Sequence, residues 1–344
     1  MAASLGASVV AGAALWWRSV APDVTAAASA AEPADVDRAV ERRWVTFEGA
    51  CDASGAVPVD GRHFAVADDE DNVLRVYDAL AGGKPVAHTN LGKQLALEKK
   101  GSESDIEAAT SLGENAFWLS SHGRDAKGDE DPNRSLLITT DRPTLDSKVE
   151  VQGRVYRRLL EDLTHAPDLQ GYQLERAATL APKAEGGLNI EGLTATPEGT
   201  LLIGFRNPVP RGKALIVPLL NPMALQELAP PKFGAPIELD LAGLGVRSLS
   251  WWRGSYLIAA GPFGDGGPAR LYRWKGPGSQ PVLAASSVFG DANPEAFFTA
   301  ETNDEILVLS DDGSRDTAGK PCKKLKGRQK KLRHFRGVWL RLPA

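Results

Sequence analysis

Several signals that would assign a chemistry are missing from this chain of 344 residues. Its five histidines include no pair at short spacing, which argues against a catalytic zinc site. No segment carries a nucleophile elbow, a glycine-rich phosphate loop or a triplet of metal ligands at fixed spacing, so no motif assigns a reaction to this chain. A net charge of −4 gives no basic footprint for general nucleic-acid binding.

Long apolar runs are also missing. The apolar stretch at residues 5–17 is shorter than the about 20 residues that a membrane span needs, so no transmembrane span is expected. Alanine-rich sequence with a small-residue cleavage pattern at residues 28–30 follows it, although no Lys or Arg precedes it. We therefore expect residues 1–40 to form an Ala-rich leader, an export signal plus linker, of a periplasmic or secreted protein. The alternative is a cytoplasmic protein with an Ala-rich extension.

Cysteine is scarce, with Cys51 and Cys322 standing near the two ends of the remaining chain. In an oxidising compartment a disulfide between them would staple those ends across a very long loop, worth about 5 kcal/mol in the chain-entropy model. Two unpaired thiols are the alternative, and the sequence does not fix the distance between them.

Glycine and proline are abundant, at 35 and 23 residues, which suits many short strands joined by turns and little helix. One pattern occurs five times: an acidic segment, a turn, an apolar strand ending in a small residue, and a polar loop. The repeats begin at residues 47–50, 106–109, 190–193, 246–249 and 294–297. This repetition predicts an all-β fold, a β-propeller with five countable blades, occupying residues 41–344 as one domain.

Two strands of each predicted blade can be placed. The second strands are expected at residues 63–67, 116–120, 200–204, 256–260 and 305–310, and the third at 73–77, 135–138, 214–217, 270–274 and 337–340. Residues 143–187 form an insertion in which residues 157–163 indicate a short helix, or in which a degenerate sixth blade is hidden. Residues 44–47 are expected to pair with the C-terminal blade and close the ring.

In a propeller the innermost strand starts on the face to which the second strand returns. The repeated acids and the polar loops after the second strands therefore share one mouth. The acids are Glu107, Glu191 and Glu295, with Glu48 or Asp52 in the first repeat and Arg247 in the fourth. Close carboxylates repel, so one interpretation is a hard-cation site for Ca²⁺ that also uses Asp105 and Asp69. The other is a structural ring in which each Glu accepts backbone N–H groups.

His122 is the histidine that lies in a mouth loop with arginines nearby. An imidazole titrates near neutrality and guanidinium groups clamp anions, so His122 is a candidate acid/base, with Arg124, Arg134 and Arg206 as clamps for a small anionic substrate. In the alternative interpretation, His122 is a hydrogen-bonded loop residue and the arginines neutralise the acids. The basic run at residues 320–336 is expected to be a solvated excursion along the same mouth.

Several segments together resemble the domain-of-unknown-function 3616 family. They are residues 49–56, 68–77, 189–193, 202–208, 319–323 and 335–339. The resemblance implies a bacterial propeller-like protein, and the Glu-Gly-Leu sequence at Glu191 is also similar to phytase-type esterase propellers. That second similarity favours ester or phosphoester hydrolysis at Glu191, Glu107 and Arg206, although Glu107 is followed by Ala and Arg247 replaces one acid.

The sequence thus supports two functional hypotheses. In the first, a monomeric propeller binds Ca²⁺ at its mouth and hydrolyses a phosphate or carboxylate ester with a metal-activated water. In the second, a non-catalytic propeller binds a protein or glycan and the repeated acids are structural.

Overall fold

The computed structural model describes residues 1, 40–98, 102–146, 148–264, 266–299 and 304–342. The chain divides into two units, residues 1–31 and 32–344, and all the strands among the described residues belong to the second. The leader predicted for residues 1–40 falls on residues 2–39, outside the described residues. None of the described helices has the length and apolar character that crossing a membrane requires.

The second unit is a five-bladed β-propeller. Blade 1 consists of β2 (Gly55–Pro58), β3 (His63–Ala67), β4 (Val73–Asp78) and β5 (Ala87–Asn90), and blade 2 of β6 (Ile106–Leu112), β7 (Asn115–Ser120) and β8 (Leu137–Asp141). Blade 3 consists of β9 (Asn189–Ala195), β10 (Leu201–Asn207), β11 (Ala214–Leu219) and β12 (Ile237–Leu239). Blade 4 consists of β13 (Gly245–Trp252), β14 (Ser255–Gly261), β15 (Arg270–Trp274) and β16 (Val282–Ala285). Blade 5 consists of β17 (Asn293–Phe298), β18 (Glu305–Asp311), β19 (His334–Arg341) and β1 (Glu41–Glu48).

The first strand of each blade in this order faces the central channel. These five inner strands, β2, β6, β9, β13 and β17, contact one another in a closed ring. All pairings within the blades are antiparallel. The predicted propeller is therefore confirmed, and most predicted second and third strands agree with the structure to within one or two residues.

The ring closes through its two ends, as the sequence predicts for residues 44–47. Strand β1 pairs along its whole length with β19, from Glu41 opposite Arg341 to Glu48 opposite His334. Phe47 lies in the seam between blades 5 and 1, with its ring centroid 5.0 Å from that of Phe335. A Cys51–Cys322 disulfide makes a second connection there, with 5.7 Å between the Cα atoms. The β1–β19 pairing covers the edge of β19, and the disulfide links the two ends of the ring covalently.

The insertion contains no sixth blade among its described residues, so that alternative is wrong. It forms α1 (Leu159–His165), a 3₁₀ helix at Pro167–Tyr172 and α2 (Leu174–Ala177). The reason is its apolar spacing, since Leu159 and Leu163 stand one helical turn apart and are fully buried against blades 2 and 3. The insertion also covers the edge of three-stranded blade 2, where Tyr156 bridges to Leu137.

Candidate metal centre in the channel

The repeated charged residues reach the channel through β-bulges. In blades 2 to 5 the strand register skips one residue near the start of the inner strand. The skipped residues are Glu107, Glu191, Arg247 and Glu295. A bulge re-aims the side chain of its extra residue, and these four charges act on one another electrostatically. The repeat seen in the sequence is thus a repeated bulge.

The first blade differs from the other four. Strand β2 pairs with β3 without a shift in register. Ser54 stands directly before Gly55 as Glu191 stands directly before Gly192, so Ser54 is at the position equivalent to the bulged glutamates. Asp52 stands two residues before Ser54, as Asp105 stands two residues before Glu107. The sequence offered Glu48 or Asp52 as the acid of the first repeat. Asp52 is the buried one of the two, with 1% of its surface exposed. Glu48 is exposed on the outer strand β1.

Five carboxylates converge where blades 1 and 2 meet. Oxygens of Asp69, Asp105 and Glu107 all lie within 4.8 Å of one another, and so do oxygens of Asp52, Asp68 and Asp69. Calcium binds oxygens at about 2.3–2.6 Å, so two oxygens that share an ion are at most about 5 Å apart. Both triplets therefore have dimensions that fit a Ca²⁺ ion.

Burial and mutual repulsion make these carboxylates hard to ionise. Burial raises the pKa of Glu107 well above its ordinary value, and Asp105 and Asp69 raise it further. Burial and neighbouring carboxylates likewise raise the pKa of Asp69 and Asp52. Burial raises the pKa of Asp68 to about 6, with a contribution from Asp71. When these carboxylates are ionised, their negative charge therefore exceeds the positive charge of the basic side chains beside them.

Unpartnered oxygens mark the same place. Both carboxylate oxygens of Asp52 and Oδ1 of Asp69 are buried without a hydrogen-bond donor. Buried polar atoms normally have a partner, because leaving one without costs about 1–3 kcal/mol. An oxygen-only donor set with vacant acceptors matches the ligand preference of a hard cation.

Glu191 and Glu295 have arginine partners instead. Arg206 Nη1 lies 2.7 Å from Glu191 Oε1, and Arg247 pairs with Glu295. Arg206 also donates to the Pro262 carbonyl at 3.0 Å, and its side chain is 7% exposed. The structure therefore brings together Asp69, Asp105 and Glu107 of the predicted metal ligands, and places Glu191 and Glu295 in an adjoining buried ion-pair network.

Two further cations flank the cluster. Arg134 Nη1 lies 2.8 Å from Asp105 Oδ2. Lys323 Nζ lies 3.1 Å from Glu70 Oε1, and although burial opposes it, the charges of Asp69 and Glu70 raise the pKa of Lys323. The basic run at residues 320–336 is thus partly anchored, because Cys322 and Leu325 are fully buried.

His122 and Arg124 lie elsewhere. They line a cavity of about 730 Å³ between blade 2 and the insertion, whose described lining includes none of the five clustered carboxylates. The His122 side chain is 2% exposed, with Nδ1 2.7 Å from the Ser120 carbonyl and Nε2 unpartnered. Burial lowers the pKa of His122 to about 4, so the imidazole is neutral at pH 7. Arg124 donates to the carbonyls of Ala178 and Gly128.

Sequence reasoning missed Asp68 and Lys323. Asp68 lies in the acidic loop after β3, where its sequence favours a solvated residue, but it is 1% exposed and accepts the backbone N–H groups of Cys51 and Glu70. Its place directly after the apolar strand β3 was the available signal, because the first loop residue is still enclosed by neighbouring blades. For Lys323, the one feature of the sequence that could have indicated a place near the cluster was its position next to Cys322.

Three solved structures are similar to this chain over most of its length. Glutaminyl cyclase from Myxococcus xanthus is 13% identical with a TM-score of 0.46, covering 89% of this chain and 97% of that chain. PQQ-bound aldose sugar dehydrogenase from Streptomyces coelicolor is 12% identical with a TM-score of 0.44, covering 88% and 98%. An exo-β-1,3-galactanase from Phanerochaete chrysosporium is 9% identical with a TM-score of 0.45, covering 86% and 60%. These similarities do not bear on the activity of this chain.

No curated protein matches the chain. A family model does match, over residues 144–293, which contain the insertion, blades 3 and 4 and the start of blade 5. This match confirms the resemblance drawn from the sequence motifs, to the family described as protein of unknown function DUF3616.

Proposed function

We propose that this propeller is a Ca²⁺-binding protein that hydrolyses a phosphate or carboxylate ester at the metal centre. The observation that carries the proposal is the convergence of Asp69, Asp105 and Glu107 oxygens within 4.8 Å, with buried oxygens that have no partner. Carboxylates of this kind hold hard cations, and a bound Ca²⁺ would polarise an ester and lower the pKa of a water ligand.

The residues around the cluster support an anionic substrate. Arg134 and Lys323 side chains are 18% and 38% exposed, so each can offer a hydrogen bond to an anion beside the ligands. Arg206 is more deeply buried and holds Glu191 in place. His122 and Arg124 line the separate cavity beside blade 2, and burial lowers the pKa of His122 to about 4, so the proposed hydrolysis at the metal centre assigns neither residue a role.

A specific observation also favours the non-catalytic alternative. Lys323 and its disulfide-anchored segment lie against the carboxylates, with the Lys323 backbone N–H 3.1 Å from the Gly313 carbonyl. A cluster covered in this way suits a structural cation in a module whose surface binds a protein or glycan. In either function the disulfide supports export to an oxidising compartment, the periplasm or the cell exterior.

Thermal unfolding in EDTA and in millimolar CaCl₂ tests the cation, with Asp105→Asn and the exposed Asp146→Asn as matched variants. We expect Ca²⁺ to raise the midpoint of the wild type and of Asp146→Asn by several degrees, and of Asp105→Asn by much less. No shift in the wild type would refute the proposal. Turnover of p-nitrophenyl phosphate or acetate that EDTA abolishes would then select the hydrolase over the binding module.

A further inference from the structure

We infer that the channel centre binds two divalent cations, with the Asp69 carboxylate shared between them. This inference rests on the proposed function, because the first of the two cations is the one proposed above. Asp69 belongs to both triplets of converging oxygens, one with Asp105 and Glu107 and the other with Asp52 and Asp68. A carboxylate has two oxygens, so a single side chain can bridge two ions.

Asp52 provides the independent evidence for the second ion. Its side chain is 1% exposed, yet neither carboxylate oxygen accepts a hydrogen bond from a backbone N–H or a basic side chain, and the neighbouring Asp311 carboxylate has a proton to share only if one of the two acids is protonated. The Gly313 backbone packs directly against this carboxylate, so that a Cβ atom there would collide with it. With that side closed, the vacant lone pairs of Asp52 are available to an ion shared with Asp68 and Asp69.

Asp68 is fixed as a metal ligand would be. Its Oδ2 accepts the Cys51 backbone N–H at 3.1 Å and its Oδ1 accepts that of Glu70 at 2.9 Å. Each oxygen keeps a second acceptor site, since an ionised carboxylate has about four. The hydrogen bonds therefore orient Asp68 without using up its capacity to bind a cation.

The charge of the centre favours more than one cation. Among the described residues, carboxylates around the channel outnumber the basic side chains that act on them. The carboxylates are Asp52, Asp68, Asp69, Asp105, Glu107, Glu191, Glu295 and Asp311, with Glu70 and Glu103 beside them, and the basic residues are Arg75, Arg134, Arg206, Arg247 and Lys323. When all are ionised, the excess of negative charge is larger than one divalent cation offsets.

A shared proton is the competing explanation for Asp52. A hydrogen bond between Asp52 and Asp311 would let one carboxyl stay protonated, which also removes one negative charge. A proton and a cation differ in a measurable way, because only the cation adds to the bound-calcium count.

Calcium stoichiometry decides the matter, measured on the full chain by native mass spectrometry and by equilibrium dialysis against CaCl₂. We expect two bound ions in the wild type and in the control Asp146→Asn, and one in Asp52→Asn and in Glu107→Gln. Asp69→Asn should weaken both sites by at least tenfold. Asp68→Asn provides a second test of the Asp52 site if Asp52→Asn does not fold, as judged by near-ultraviolet circular dichroism.

The outcomes separate the two proposals. Zero bound ions in the wild type would overturn both. One ion would overturn the second site and leave the proposed function standing. Two ions in the wild type that persist in both Asp52→Asn and Asp68→Asn would overturn the placement of the second ion.

Discussion

Removing divalent cations should steepen the fall of this propeller's stability with rising pH. Burial raises the pKa of Glu295 from 4.5 to about 8, and that of Asp68 from 3.8 to about 6. Between the unfolded and folded values, the folded state keeps a proton that the unfolded state has lost. The free energy of unfolding in EDTA therefore falls as pH rises from about 4 to about 8.

The magnitude follows from the size of each shift. One pKa unit corresponds to about 1.4 kcal/mol, so Glu295 alone accounts for about 5 kcal/mol across that window and Asp68 for about 3 kcal/mol. With saturating Ca²⁺ the fall should become shallower. The ion binds deprotonated carboxylates such as Asp68, and at a concentration 100 times its dissociation constant it adds about 2.7 kcal/mol of stability, which offsets most of the Asp68 contribution and leaves that of Glu295.

Urea unfolding followed by tryptophan fluorescence at pH 5, 6, 7 and 8, with and without Ca²⁺, measures both slopes. Glu295→Gln is the control variant, because an amide cannot ionise and keeps a group for Arg247 to bond. It should flatten the EDTA curve. A curve in EDTA that rises or stays level between pH 5 and 8 would refute the electrostatic reasoning, whatever happens in Ca²⁺.

Three further predictions concern the groups around the cluster. Replacing both cysteines, Cys51→Ser and Cys322→Ser, should lower the free energy of unfolding by about 5 kcal/mol in the chain-entropy model, measured with urea under non-reducing conditions. Lys323→Met should tighten Ca²⁺ binding roughly fivefold in calorimetry, because it removes a half-exposed positive charge worth about 1 kcal/mol near the ligands. Arg206→Met should destabilise the fold by about 3–5 kcal/mol, because it leaves the buried Glu191 carboxylate with only the more distant Arg247, at 3.8 Å, as an ionic partner.

Each of these has a matched control. Lys324→Met removes a neighbouring exposed lysine and should leave Ca²⁺ affinity unchanged, so equal effects of the two lysine changes would contradict a local role for Lys323. Arg253→Met breaks an exposed pair with Asp304 and should cost less than about 1 kcal/mol. If Arg206→Met also lowered the free energy of unfolding by less than about 1 kcal/mol, the burial of the Arg206–Glu191 pair would not add to its contribution to stability. A loss below about 1 kcal/mol in the cysteine variant would contradict the chain-entropy estimate.

The fold was predictable because its signals are local. Period-two apolar strands and the recurrent acid define the blades, and the position of Trp44 ahead of the first repeat identifies the closing strand. The direction of loop side chains is not local. Arg206 was expected at an open mouth, but its guanidinium turns to Glu191 and to the Pro262 carbonyl of the next blade. His122 has a left-handed backbone φ of 56° that no motif reveals.

The first repeat was ambiguous for a similar reason. Aligning the acids by type suggests Glu48 or Asp52 as the partner of the later glutamates, but the strand register shows Ser54 at that position. A bulge is visible only when two strands are paired, so the sequence alone cannot distinguish an acid on the bulge from an acid two residues before it. The missing member of the ring is thus a small hydroxyl side chain.

This substitution helps to explain why the carboxylates converge between blades 1 and 2 rather than around the whole ring. In blades 3 to 5 the ring acids Glu191 and Glu295 face Arg206 and Arg247, whose positive charges offset those of the ionised acids. In blade 1 a serine takes the ring position, and the space beside it is occupied by carboxylates from the flanking loops. The excess charge therefore collects between blades 1 and 2, beside the Cys51–Cys322 disulfide. Because Cys51 N–H also holds Asp68, ring closure and ligand geometry share one segment, and any change that loosens the closure should weaken cation binding as well.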